Sequence, residues 1–214
     1  MNCIELQQAL PEVFAGRDSV SSDVWHSVLA LEKGKSYLIE AASGTGKSSL
    51  CSYVYGYRND YQGIITFDGK NIRSLTEPDW VMARRQSLAI LFQDLRLFPE
   101  LSALENVQLK NQLTGFRKKK EILWWLDSLG IADKVDVPVR YLSFGQQQRV
   151  AFIRALCQPF DFIFLDEPVS HLDEPNAVIM AKILTEEADK QGAGIIVTSI
   201  GRHIMLDYDR KLKL

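Results

Sequence analysis

Residues 41–48 read AASGTGKS, and their flanks limit what kind of chain can hold them. Ser36–Ala41 is a short apolar run that breaks into Ser43-Gly44-Thr45-Gly46, and Lys47–Tyr55 resumes without a helix breaker. This is strand, glycine loop and helix in succession. In such a loop, successive backbone N–H groups and a helix N-terminus converge on an anion and hold phosphate oxygens by dipoles and hydrogen bonds. The octet fits G-x-x-x-x-G-K-[ST] except at Ala41, where the strand ends and alanine adds only a methyl. The expected cradle runs from Ala42 through Ser43, Gly44, Thr45 and Gly46 to Ser49, with Lys47 on the β and γ phosphates and the Ser48 hydroxyl on Mg²⁺.

The rest of the chain reads as strands alternating with helices. Gly63–Phe67 and Leu88–Phe92 are strand candidates, and Asp68-Gly69 after the first of them is a turn signal. Residues 98–140 change character: Ala103–Gln112 and Arg117–Leu129 carry helical spacing without a convincing strand, which predicts an inserted helical lobe. Gly145–Gln158 reads as a helix closed by Pro159. Phe160–Leu165 is a fully apolar strand of the kind buried on both faces in a parallel sheet. Glu174–Lys190 is a further helix and Gly194–Thr198 the next strand, after which the chain soon ends at Leu214. Such alternation predicts an α/β fold with a mostly parallel sheet.

Composition excludes other classes. Lys and Arg total 25 against 27 Asp and Glu, which argues against a basic chain that coats nucleic acid. Leu88–Phe92 and Phe162–Leu165 fall far short of the roughly 20 apolar residues of a membrane helix. The first ten residues, with Glu5 and no Lys or Arg, lack the features of an export signal. Cys3, Cys51 and Cys157, without a CxxC, are read as buried or incidental thiols in a reducing compartment.

Phe162–Leu165 delivers Asp166 and Glu167 to the C-terminal edge of the sheet, where open α/β sheets bind ligands. Asp166 is expected at the magnesium, through water, and Glu167 as general base toward an attacking water. Leu142-Ser143-Phe144-Gly145-Gln146-Gln147-Gln148-Arg149 then narrows the class. With this run, the chain resembles the ATP-binding subunit of an ABC (ATP-binding cassette) transporter, whose signature is L-S-G-G-Q opening a helix. The likeness covers nearly the whole chain, in the family's order: phosphate loop, Gln93 within LFQD, signature, LDEP, then Ser170-His171-Leu172-Asp173. The wording LFQDLRLFPELSALENV around Gln93 is most similar to the ATPases of lipoprotein release, macrolide export and cell division.

The resemblance implies a P-loop NTPase core with a small antiparallel β portion, one nucleotide-binding domain over 1–214 with a helical lobe at about 98–145, and ATP and Mg²⁺ as cofactors. It implies a second nucleotide-binding domain, as an ATP-dependent homodimer or heterodimer, and a membrane permease as partners, with no nucleic acid. The chain is then expected in the cytoplasm, peripheral on the inner face of the cell membrane. Two cassettes pair head to tail in the family, so Ser143, Gly145 and Gln146 of one face the γ phosphate held by the other, as a helix N-terminus facing an anion should. Gln93 is implied as a magnesium ligand and γ-phosphate sensor, and Asp173 as an organiser of the dimer interface. Phe14 stands where the family places an adenine-stacking aromatic, with Trp25 as its rival and a plain core role open for both.

Three positions depart from the family pattern. Ala41 is mild. Phe144 replaces a signature glycine and obstructs closure unless it points back into its own lobe. Ser199 stands where a histidine bonds the γ phosphate; it can donate a hydrogen bond but has no ring to orient, and losing a preorganised donor costs about 100-fold or more in rate. A weakly hydrolysing regulatory or partner subunit is therefore the alternative to a full ATPase. His203 is read as a surface histidine, with substitution for the missing ring as its alternative, and His171 as ordinary variation. Arg117-Lys118-Lys119-Lys120 is read as a solvated face, and only one of Trp124 and Trp125 can point inward, leaving the other either for contact with the permease or simply partly exposed.

Overall fold

The computed structural model describes residues 1–16 and 22–214. Its centre is a parallel sheet of five strands, in the order β6 (Leu88–Leu91), β7 (Phe162–Asp166), β8 (Gly194–Ser199), β3 (Ser36–Glu40) and β9 (Arg210–Lys213). Side chains alternate across it with the two-residue period of a strand. Ile163, Leu165, Ile195, Val197 and Leu38 face one core, and Phe162, Phe164, Ile196, Tyr37 and Ile39 face the other. Both faces are covered, which is why these strands read as continuous apolar runs. Each such side chain contributes roughly 1.5–3 kcal/mol on burial.

The first core is closed by α3 (Ala103–Asn111), α4 (Lys119–Ser128), α5 (Phe144–Ala155) and α6 (Glu174–Gln191). The second lies under α1 (Lys47–Val54) and an antiparallel sheet ordered β2 (Val28–Glu32), β1 (Cys3–Pro11), β4 (Tyr61–Phe67) and β5 (Lys70–Asn71). α2 (Glu77–Gln86) begins at a capping box of Thr76 and Asp79. The mostly parallel α/β core and the small antiparallel portion agree with expectation.

Several boundaries are corrected. Phe160 and Asp161 precede β7: the Phe160 N–H donates to Gln191 Oε1 instead of to a strand, and Asp161 only flanks the ladder, its carbonyl accepting from the Gly194 N–H. Asp166, expected beyond the strand, is its last residue. Gly194–Thr198 is not the last strand, because β9 follows it and pairs with β3. The 117–120 cluster is also divided. Lys118, Lys119 and Lys120 are exposed, whereas Arg117 turns inward to pair with buried Glu187 of α6 and donates to Leu156 O. Trp125 is buried and Trp124 is 55% exposed, the division that one helix face requires. Cys51 and Cys157 are buried free thiols, and burial pushes Cys157 up to about 12.

Candidate nucleotide site

The phosphate loop is braced from beneath. The Trp25 indole N–H donates to Thr45 O at 3.0 Å, and the Thr45 hydroxyl donates to Ala42 O at 2.8 Å. Gly46 has φ +101°, and a Cβ there would meet the Phe14 and Trp25 rings at 3.2 Å, so glycine is required twice over. Both rings belong to the second core; Trp25 is 1% exposed and Phe14 8%. Ala41 is accommodated as expected, its N–H donating to Ser199 O at 3.0 Å.

Five expected side chains meet at the start of α1. The buried Lys47 ammonium donates to Ala42 O at 3.2 Å and stands 3.6 Å from Glu167 Oε1. The Ser48 hydroxyl lies 2.7 Å from Asp166 Oδ2 and 3.3 Å from Gln93 Oε1. A cavity of about 290 Å³ opens beside Ser48, Gln93 and Asp166. Hydroxyl, amide and carboxylate oxygens converging with one carboxylate suit a hard cation such as Mg²⁺, which takes oxygen ligands and keeps waters and substrate phosphates. The residues therefore fit the ion.

Sequence reasoning missed the groups that orient these acids. The Thr198 hydroxyl donates to Asp166 Oδ1 at 2.5 Å, leaving Oδ2 toward Ser48. Glu167 sits at φ +52°, an unusual conformation for a residue with a Cβ, held by its N–H on Thr198 O and by the Gln148 amide on its own carbonyl. No sequence signal marks Thr198 or Gln148, because their roles arise from the pairing of β7 with β8 and from the packing of α5.

The signature opens α5 as expected. Ser143 and Gln146 form a capping box: the Ser143 Oγ accepts from the Gln146 N–H at 3.3 Å and the Gln146 Oε1 from the Ser143 N–H at 2.9 Å. Phe144 turns back onto its own chain, its ring 4.3 Å from that of His171. Gly145 is pressed on the same loop; a Cβ there would lie 2.7 Å from His171 O. Asp173 caps α6 through the Asn176 N–H, a bond that lowers its carboxyl below the usual range. His203 is half-buried rather than on the surface. Its Nδ1 lies 3.1 Å from Ile204 O and its ring packs on Tyr208.

A second concave surface lies between the core and the helical lobe. Its 250 Å³ groove has Tyr55, Phe92, Leu109 and Leu113 among its walls, with Lys110 and Arg154 at its edge. Arg154 donates to Leu95 O and Arg96 O, Arg84 to Tyr55 O and Gly56 O, and Lys110 to Arg84 O; all these acceptors are backbone carbonyls. Burial, with Arg154 and Arg84 adding repulsion, brings Lys110 down to about 8. Sequence spacing did not reveal this cluster because Arg84, Lys110 and Arg154 come from three different helices.

A braced phosphate loop, a carboxylate pair at the end of β7 and a capped signature helix define an ABC-type ATP-binding cassette. The family comparison agrees: the ABC transporter family matches residues 26–170, and the chain belongs to that family as its ATP-binding, ATPase subunit. It is 33% identical to the uncharacterized ABC transporter ATP-binding protein YclH of Bacillus subtilis, over 87% of this chain and 83% of that one. It is 31% identical to the lipoprotein-releasing system ATP-binding protein LolD of Legionella pneumophila, with the same coverage of both chains. Among solved structures, the dimeric bacterial ABC transporter cassette MJ0796 superposes with TM-score 0.77 at 25% identity, over 92% of this chain and 87% of that one.

Proposed function

We propose that this cassette hydrolyses ATP in a Mg²⁺-dependent head-to-tail dimer and drives a separately encoded membrane permease from the cytoplasmic face of the membrane. The carrying observation is the convergence of Lys47, Ser48, Gln93, Asp166 and Glu167 at one end of the parallel sheet. Lys47 neutralises the β and γ phosphates, and the backbone N–H groups of Ala42–Ser49 hold their oxygens. Ser48 and Gln93, with Asp166 through water, would hold Mg²⁺, which would neutralise developing charge on the phosphates. Once phosphate oxygens compete for Lys47, the Glu167 carboxylate is released to accept a proton from the attacking water. Phe14, more exposed than Trp25, is the aromatic beside the adenine. Ser143, Gly145 and Gln146 close on the γ phosphate of the paired cassette, and Asp173 lies at the interface.

The test is steady-state phosphate release by the purified chain. Turnover is expected with Mg²⁺ and is expected to fall to background with EDTA, while unchanged turnover in EDTA would remove Mg²⁺ from the site. A second reading, an attenuated partner subunit, is favoured by one observation: the Ser199 hydroxyl donates to Arg202 O at 2.6 Å and offers the phosphate no oriented ring. A rate of order 1 s⁻¹ or faster for the chain alone excludes that reading.

The permease docks in the groove beside Gln93 through an acidic, partly apolar segment. The support is its aromatic floor and the bonding of Lys110 and Arg154 to backbone carbonyls, with Arg96 beside them paired to Asp94. Lys110→Met is expected to weaken docking while raising the melting temperature of the isolated chain by about 2 °C at pH 7. The folded Lys110 value, about 8, lies below the ordinary 10.5, so the unfolded chain binds more protons between them and folding stability rises with pH across that window. The difference between parent and variant therefore narrows from pH 7 to pH 10, as thermal unfolding at the two pH values checks.

A further inference from the structure

Ser199 makes two contacts that the nucleotide reading leaves unexplained. Its side chain is 1% exposed, and its hydroxyl is committed to Arg202 O at 2.6 Å. Its carbonyl accepts from the Ala41 N–H, at the entry to the phosphate loop. Arg202 then reaches away from this turn. Its Nη1 donates to Leu172 O at 2.6 Å, and its Nη2 lies 3.1 Å from Glu174 Oε2 at the start of α6.

Leu172 lies in the loop that follows Glu167. This loop closes on itself through the Ser170 hydroxyl and Glu167 O, and through the Leu172 N–H and Val169 O. Its other side is held by the Phe144 ring on His171. The exposed pair of Arg202 with Glu174 contributes little in water. The bond to the Leu172 carbonyl is partly buried and charge-assisted, the stronger kind.

We propose that Ser199 and Arg202 form an internal strap that fixes the loop 168–173, so that Arg202 is a positioning residue for hydrolysis and Ser199 serves the strap, where the family's histidine serves the phosphate. The strap joins the phosphate-loop entry, the end of β8 and the loop that carries Glu167 toward the dimer interface. It rests on the ATP-hydrolysing reading for its effect on rate, but not for its existence.

Two measurements separate the strap from that reading. In the nucleotide-free chain, hydrogen exchange of amides 169–174 and 176 is expected to be about 10-fold faster in Arg202→Ala than in the parent, since one charge-assisted bond is lost, with α2 unchanged as the internal control. Unaltered exchange there overturns the strap whether or not the chain hydrolyses ATP. In steady-state kinetics, Arg202→Ala is expected to lower kcat by about 10- to 100-fold through misplacement of Glu167, with KM and the Kd of a fluorescent ATP analogue within about 2-fold of the parent. Arg202→Lys, which keeps the charge without the fork, recovers part of the rate, and Ser199→Ala falls in the same direction as Arg202→Ala. An unchanged kcat in Arg202→Ala, a loss confined to nucleotide affinity, or a Ser199→His chain faster than the parent would each overturn the proposal. If the parent and Glu167→Gln are equally inactive, the hydrolysis reading fails and the exchange measurement alone decides the strap.

Discussion

Glu167→Gln is expected to lower ATP turnover by about 10²- to 10⁴-fold, the range for removing a general base, while nucleotide affinity stays close to that of the parent. The amide is isosteric, so the β7 terminus and the unusual φ of +52° are kept. What changes is the proton acceptor, and with it the ion pair to Lys47 at 3.6 Å. Because Lys47 is then free of a competing carboxylate, the variant is expected to hold ATP and accumulate as the closed dimer. Phosphate release and size-exclusion chromatography with ATP check the two halves. Turnover equal to the parent would remove Glu167 from the chemistry.

Lys47→Ala is expected to act at the earlier step and to weaken ATP binding by about 10- to 100-fold, as the loss of charge-assisted bonds to phosphate implies. Lys47 is 6% exposed, and its ammonium bridges Ala42 O and Glu167. Its removal opens the loop from inside and leaves the Glu167 carboxylate without its cation. Equilibrium titration with a fluorescent ATP analogue separates this variant, which loses binding, from Glu167→Gln, which keeps it. Comparable affinity in Lys47→Ala and the parent would mean that backbone N–H groups alone hold the phosphates.

Much of the site was legible because its parts are local. A phosphate loop needs a glycine turn between a strand and a helix, and AASGTGKS carries both the turn and the proposed ligands in eight residues. A carboxylate at the end of an apolar strand is placed by the strand itself, so Asp166 and Glu167 could be assigned before their partners were known. Ser143 and Gln146 are likewise three residues apart on one helix and cap each other. The weaker expectations concern contacts across elements. Arg117 read as part of a solvated cluster, yet it pairs with Glu187 of α6 because the fold brings the segment before α4 to a buried carboxylate. His203 read as a surface residue and is half-buried on Tyr208.

The sequence by itself determined the phosphate loop, the alternation that makes a parallel sheet, the order of the nucleotide motifs and the family to which the chain belongs. These rest on spacing within a strand, a turn or a helix, where covalent connection fixes which groups are neighbours. Only the tertiary structure decided that Thr198 orients Asp166, that Phe144 turns onto His171, that Lys110 and Arg154 share one groove, and that Ser199 and Arg202 tie the phosphate-loop entry to the loop after Glu167. In each case the partners are distant in sequence or lie on a loop whose path is set by packing, and their distance depends on how sheets and helices close on the two cores.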